Sequence, residues 1–200
     1  MKLNVGRAVV LLAAVVGLIG LSAAKGNAGN WRLVPGNRAG SLHLGSYPKG
    51  LPLAEADYGD AAMGHYIEMW VSKLRNRAGM PLDTLVTESL SNGPSGRPGV
   101  TLFYVRVTSP RFHDRHGLST RSTFASIRRL YRRLQPTENK PAILSDDARG
   151  IAFEFATAHP APTSRCIAIS IYEKRGLTQF DASDVHQMVL DWLSEKKGKL

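Results

Sequence analysis

Apolar side chains recur along this chain with two different periods, and the change of period marks its elements. In CIAISIY, Cys166 to Tyr172, Ile167, Ile169 and Ile171 alternate with Cys166, Ala168 and Ser170, the two-residue repeat of a strand with one apolar face. Ile151, Phe153 and Phe155 alternate in the same way. With Ala142 to Ser145 these segments predict a three-stranded meander, in which SDDARG supplies an Asp- and Gly-rich hairpin turn. Upstream, Leu82 to Ser89 and Val100 to Val107 are rich in β-branched and aromatic residues and are separated by the loop SNGPSGRPG, which predicts a hairpin or two neighbouring antiparallel strands. Tyr66 to Ser72 reads as a strand, with a helix as the alternative. Trp31 to Ser46 carries Pro35, Gly36, Asn37, Gly40 and Gly45 around short apolar pairs and reads as extended chain broken by turns.

A helical period appears twice. Phe124, Ile127, Leu130, Tyr131 and Leu134 follow Ser122 or Thr123 as a cap and precede Pro136, which predicts a helix from Thr123 to Leu134. Its apolar face would pack on the sheet carrying Ile151, Phe153, Phe155, Ile167, Ile169 and Ile171. Arg128, Arg129, Arg132 and Arg133 fall on the other face, where like charges four residues apart each cost a few tenths of a kcal/mol. Val185, Met188, Val189, Trp192 and Leu193 predict a second amphipathic helix behind Asp181 or Ser183, followed by a basic tail.

The chain begins differently. Lys2 and Arg7 precede an uncharged run from Ala8 to Ala24, and small residues suited to a cleavage site follow, the layout of an export signal over residues 1–28. The alternative is a retained anchor, since the run is at the short end of what spans a bilayer. No cysteine follows the run to take a lipid, so no lipid anchor is expected. The chain divides into a signal (1–28), a first segment (29–110), a second (111–176) and a C-terminal helix with its tail (177–200).

Two short stretches invite comparison as a repeat: GSLHLGS at 40–46 and GLSTRST at 117–123, each with a Gly, a short alternation and a small residue. A helix and three strands are predicted after the second; after the first, LPLAEADYGDAAMG occupies the helix position. This arrangement resembles the tandem helix-plus-meander repeats of the β-lactamase inhibitory protein (BLIP-like) fold and of small outer-membrane assembly lipoproteins of the SmpA/OmlA type. In those families a Gly-x-x-x-Gly-Met-Ser/Thr signature precedes the helix; GSLHLGS matches at Ser46 without the Met, and GLSTRST has Arg121 and Ser122 in the signature's place. GDAAMG at 59–64 and VRVTSPRF at 105–112 also resemble segments of secreted bacterial proteins of this build. The resemblance implies an α+β fold of two helix-plus-antiparallel-meander repeats, the first degenerate, with a C-terminal amphipathic helix. It also implies a non-catalytic, protein-binding role.

Composition narrows the chemistry. Twenty-six Lys and Arg against sixteen Asp and Glu give a net charge of +10, which brings an anionic partner or surface into consideration. Between Arg106 and Arg133 stand eight arginines and one acid, Asp114. Arginine favours forked contact with carboxylate or phosphate, so Arg115, Arg121, Arg128, Arg129, Arg132 and Arg133 form a candidate binding face, the alternative being a solvated helix face. The expected partner is a protein or an anionic envelope component in the periplasm or outside the cell, and the export signal argues against nucleic acid. The single cysteine, Cys166, excludes an intrachain disulfide and multi-cysteine zinc sites. It is expected to pack in a sheet rather than to act as a nucleophile. His113, Asp114 and His116 are metal-ligand types but lack a complete ligand set nearby, so no metal or cofactor is expected. No nucleophile elbow, P-loop or dinucleotide fingerprint occurs. The function expected is binding without catalysis, with an exported enzyme of unrecognised class as the alternative.

Overall fold

A computed structural model describes residues 31–46, 55–62, 65–72, 77, 82–91, 100–137, 142–174, 191 and 195. Three two-residue strands come first, β1 (Leu33–Val34), β2 (Arg38–Ala39) and β3 (Leu42–His43), paired in that order as a small antiparallel sheet. β4 (Glu55–Ala62), β5 (His65–Val71), β6 (Thr84–Ser91) and β7 (Val100–Val107) follow, then α1 (Phe124–Leu130), β8 (Gln135–Pro136), β9 (Ile143–Asp146), β10 (Ile151–Phe155) and β11 (Cys166–Tyr172). The eight strands β4 to β11 make one antiparallel sheet in the order β4-β5-β6-β7-β11-β10-β9-β8.

This overturns the expected α+β fold of two helix-plus-meander repeats. Among the described residues strand accounts for 45% and helix for 10%, an antiparallel β protein. Where the first repeat required a helix, Glu55–Ala62 is strand β4, held along its length by β5. GSLHLGS contains β3 and closes the small sheet, with Gly40 and Gly45 at positive φ, instead of leading into a helix. β7 pairs directly with β11, so strands from residues 29–110 and 111–176 share one sheet. The predicted C-terminal helix lies outside the described residues except that Asp191 and Glu195 are helical, and the signal segment lies wholly outside them.

The meander β9-β10-β11 and the antiparallel pair β6-β7 form as the alternation predicts. Leu85, Val105, Val107, Leu144, Ile151, Phe153, Phe155, Ile169 and Ile171 face one core, covered by Ile127 and Leu134 and by Leu33, Ala39 and Leu42 of the small sheet. Ile167 departs from the expectation and is 42% exposed. Between β10 and β11 the register slips: Glu154 pairs with Ala168 and Phe155 with Cys166. Ile167 is therefore the extra residue of a bulge, and Cys166 enters the core in its place. Its thiol is buried and donates to the Ala168 carbonyl at 3.0 Å, and burial pushes its pKa up to about 12, the reverse of activation.

α1 is shorter than predicted. Thr123 caps it, its hydroxyl accepting from the Ser126 amide, but the helix stops at Leu130 and Tyr131 takes φ −113° and ψ 79°. Tyr131 turns inward, where its hydroxyl donates to Asp114 Oδ2 at 3.1 Å and its ring meets Phe153 edge-on at 5.0 Å. Arg132 and Arg133 thus lie beyond the helix. Of the predicted contact face, Ile127 and Leu134 are buried, while Phe124 and Leu130 are partly buried against the core.

Candidate functional site: a cationic cleft

Four segments distant in sequence meet beside the end of α1. The chain entering β1 is bonded to the segment before Asp114, Leu33 N donating to His113 O at 2.7 Å and His113 N to Trp31 O at 3.0 Å, which sets Arg32 alongside the turn 114–118. Asp114 builds that turn. Its Oδ1 accepts from the His116 and Leu118 amides at 2.7 and 2.9 Å and its Oδ2 from Tyr131, while Gly117 supplies φ +77°. The buried carboxylate is thereby committed to donors of its own turn and helix end, and the turn holds Arg115 and His116 outward.

The rest of the site depends on two glycines. Gly36, in the β1-β2 turn, donates its amide to the carbonyl of Gly150, in the β9-β10 turn, at 3.1 Å. Both residues have positive φ, +63° and +70°. A Cβ on Gly36 would stand 2.6 Å from Lys174 Cγ and 2.8 Å from the Arg149 carbonyl. One on Gly150 would fall on the Tyr172 carbonyl oxygen and lie 2.8 Å from Gly36 Cα. Only glycine permits this approach, and it brings Arg149 and Lys174 to the cavity that Arg32 and Arg115 also line.

The result is a cleft of about 340 Å³ lined by Arg32, Arg115, Arg149 and Lys174, by His116 and the buried Asp114, and by Leu33, Val34, Pro35, Leu130 and Tyr131. The cations are exposed, yet two are fixed. Arg149 lies 5.1 Å over the Tyr131 ring, donates from Nη1 to the Leu130 carbonyl at 3.2 Å and places Nε 3.6 Å from Asp146. Arg115 Nε donates to His116 Nε2 at 2.9 Å, a bond in which its two terminal nitrogens take no part. The Tyr131 phenol is held neutral well above its ordinary pKa by burial and by the Asp114 carboxylate. Such a cavity, cationic at the rim and half apolar in its walls, suits a small anion or the anionic end of a larger ligand.

Of the six arginines expected to form a binding face, Arg115 lines this cleft. Arg121 lies exposed before α1, Arg128 and Arg129 are exposed in its last turn, and Arg132 and Arg133 are exposed in the turn after it. The Arg128 guanidinium donates to the Leu134 carbonyl at 3.1 Å and borders a separate open groove with Phe124, Pro136, Leu144 and His159. Arg32, Arg149 and Lys174 escaped the sequence reading; the turn glycines at 36 and 150 were the signal near them. The candidate metal ligands do not converge: His113 Nδ1 is 2.8 Å from the Arg111 carbonyl, Asp114 is committed as above and His116 takes the Arg115 bond. Among the described residues no three His, Cys, Asp or Glu side chains group as a metal site.

No protein-family model, curated protein or solved structure matches this chain, so the likeness to the repeat families rests on the short motifs alone.

Proposed function

We propose that the chain is an exported, non-catalytic binding protein of the periplasm or cell exterior that recognises an anionic partner, a protein or an envelope component, through the cationic cleft. The observation that carries this reading is the set of four cations, Arg32, Arg115, Arg149 and Lys174, at one cavity whose only acid among the described lining residues, Asp114, is buried and already accepts three hydrogen bonds, with the Asp146 carboxylate 3.6 Å from Arg149. Such a site is unfavourable when empty and gains from an anion, whereas scattered surface cations gain little. The charged start, apolar run and small-residue flank of residues 1–28 support export, and mass spectrometry of the native protein should find a new N-terminus between Ala23 and Asn30.

The test is retention of an envelope component by the immobilised protein at low and high salt, for the parent and for Arg32→Glu/Arg149→Glu. Salt should weaken retention by the parent, and the charge-reversed variant should retain little at any salt. Retention insensitive to both changes refutes the reading.

A further inference from the structure

The ligand class of the cleft follows from its geometry, and resting on the binding reading above, we infer that it takes a phosphoryl group carried on a short apolar body. The four cations arrive from four separate segments, before β1, in the turn 114–118, in the β9-β10 turn and after β11, and line one opening. A carboxylate brings one charge and two oxygens in a plane. A phosphate monoester brings about 1.5 to 2 negative charges and three acceptor oxygens set tetrahedrally, enough to engage several cations carried on separate segments at once. Arginine forks give paired N–H contacts to such oxygens, and the lysine supplies a point charge.

The remaining walls set the rest of the ligand. Val34, Pro35 and Leu130 are apolar surface, and Tyr131 is covered by Arg149 and spends its hydroxyl on Asp114, so these walls reward carbon rather than hydroxyl groups. A cavity of about 340 Å³ is at the lower end of small-molecule sites and admits a phosphoryl head with a few carbons. Both a soluble alkyl phosphate and the headgroup of a lipid with a terminal phosphate present that chemistry.

Calorimetric titration of the purified protein with butyl phosphate, inorganic phosphate and butyrate tests the inference, alongside co-sedimentation with vesicles containing phosphatidic acid or, as control, phosphatidylglycerol. Butyl phosphate should bind at least about tenfold more tightly than butyrate and more tightly than inorganic phosphate. Arg115→Ala/Lys174→Ala should weaken it about tenfold or more, with circular dichroism unchanged because both side chains are exposed; Arg165→Ala, an exposed cation outside the cleft, should leave it unchanged. Preferential sedimentation with phosphatidic acid assigns the headgroup to a lipid, and binding of butyl phosphate without sedimentation assigns a soluble ligand. Equal binding of butyl phosphate and butyrate, or an unaltered affinity in the double variant, overturns the inference. If no phosphate probe binds while salt-sensitive retention of an envelope component persists, the phosphoryl assignment fails and the binding reading stands.

Discussion

Replacing Gly150 by alanine tests whether the meeting of two turns holds the cleft together. Two costs apply. The first is conformational: at φ +70° an alanine is strained by about 1 to 2 kcal/mol. The second is steric, since the new Cβ would fall on the Tyr172 carbonyl, part of the backbone of β11, which has no flexible side chain to give way. Relief requires the turn to lift, and that loosens the bonds that the Gly150 carbonyl accepts from the Gly36 and Tyr172 amides, both 3.1 Å. Each contributes about 0.5 to 1.5 kcal/mol net, so the total is ~2 to 5 kcal/mol. Gly45 separates the two costs: its φ is +77° and nothing lies within 4 Å of its Cβ position, so Gly45→Ala should lose only the conformational part, ~1 to 2 kcal/mol. Urea unfolding of both variants, followed by circular dichroism, gives the comparison. Gly150→Ala should also bind anions more weakly, because Arg149 and Lys174 shift with the turn. Equal stability losses in the two variants would show that the close approach does not constrain the fold.

Three further outcomes are expected. Ile127 is fully buried and Arg129 exposed, so Ile127→Ala should cost ~2 to 5 kcal/mol in the same assay and Arg129→Ala almost nothing; similar losses would invert the assigned helix face. Arg106 donates from Nε and Nη2 to Glu154 Oε2 at 3.0 and 2.7 Å with both residues buried. Glu154→Leu should therefore cost ~3 to 5 kcal/mol, much of it recovered in Arg106→Leu/Glu154→Leu, and a fully stable single variant would contradict the pairing. Finally, the Cys166 thiol titrates near 12 when folded against an ordinary value near 9. Its contribution is fully present below pH 9 and is lost between pH 9 and 12, at ~1.4 kcal/mol per pH unit. The buried phenols of Tyr104, Tyr131 and Tyr172, all raised chiefly by burial, add to the same alkaline slope. Cys166→Ala should flatten the fall of the urea midpoint above pH 9, and an unchanged slope would refute burial of the thiol.

What was legible in the sequence is what one face of one element decides. β10 reads as a strand because Ile151, Phe153 and Phe155 recur every second residue and all meet the core, and Thr123 reads as a cap because its hydroxyl serves the local amide of Ser126. The errors lie where a partner decides. EADYGDAA shows no two-residue alternation, yet pairing with β5 makes it a strand. Ile167 follows the alternation and is still exposed, because a bulge moves the register by one residue. The period of α1 continues through Tyr131 and Leu134, but Tyr131 leaves the helix for Asp114 and Phe153. The cleft is the extreme case, since Arg32, Arg115, Arg149 and Lys174 are separated by up to 142 positions and only the small-sheet and turn contacts bring them together.

The arginine run shows why charge along the chain is a poor guide to charge in space. Its eight members do not share one fate. Arg106 is inside the protein, its charge met by Glu154. Arg111 lies 5.5 Å over the Trp31 ring and Arg128 bonds the Leu134 carbonyl, so both are partly occupied by local contacts. Because α1 ends at Leu130, Arg128 and Arg132, like Arg129 and Arg133, are never helical neighbours, and the repulsion expected of a longer helix does not arise. Arg128 and Arg129 instead stand in the last turn, where cations favour the carbonyl end by about 0.3 to 1 kcal/mol. That part of the run therefore gains little from an anion. In the cleft Arg149 and Arg115 also have local contacts, with Tyr131, Leu130, Asp146 and His116, but there four cations share one cavity, and the carboxylate lining it is turned inward onto two amides and a phenol. Arg115 belongs to both the run and the cleft, and its place among cations from other segments, rather than among its neighbours in sequence, is what makes it a candidate binding residue.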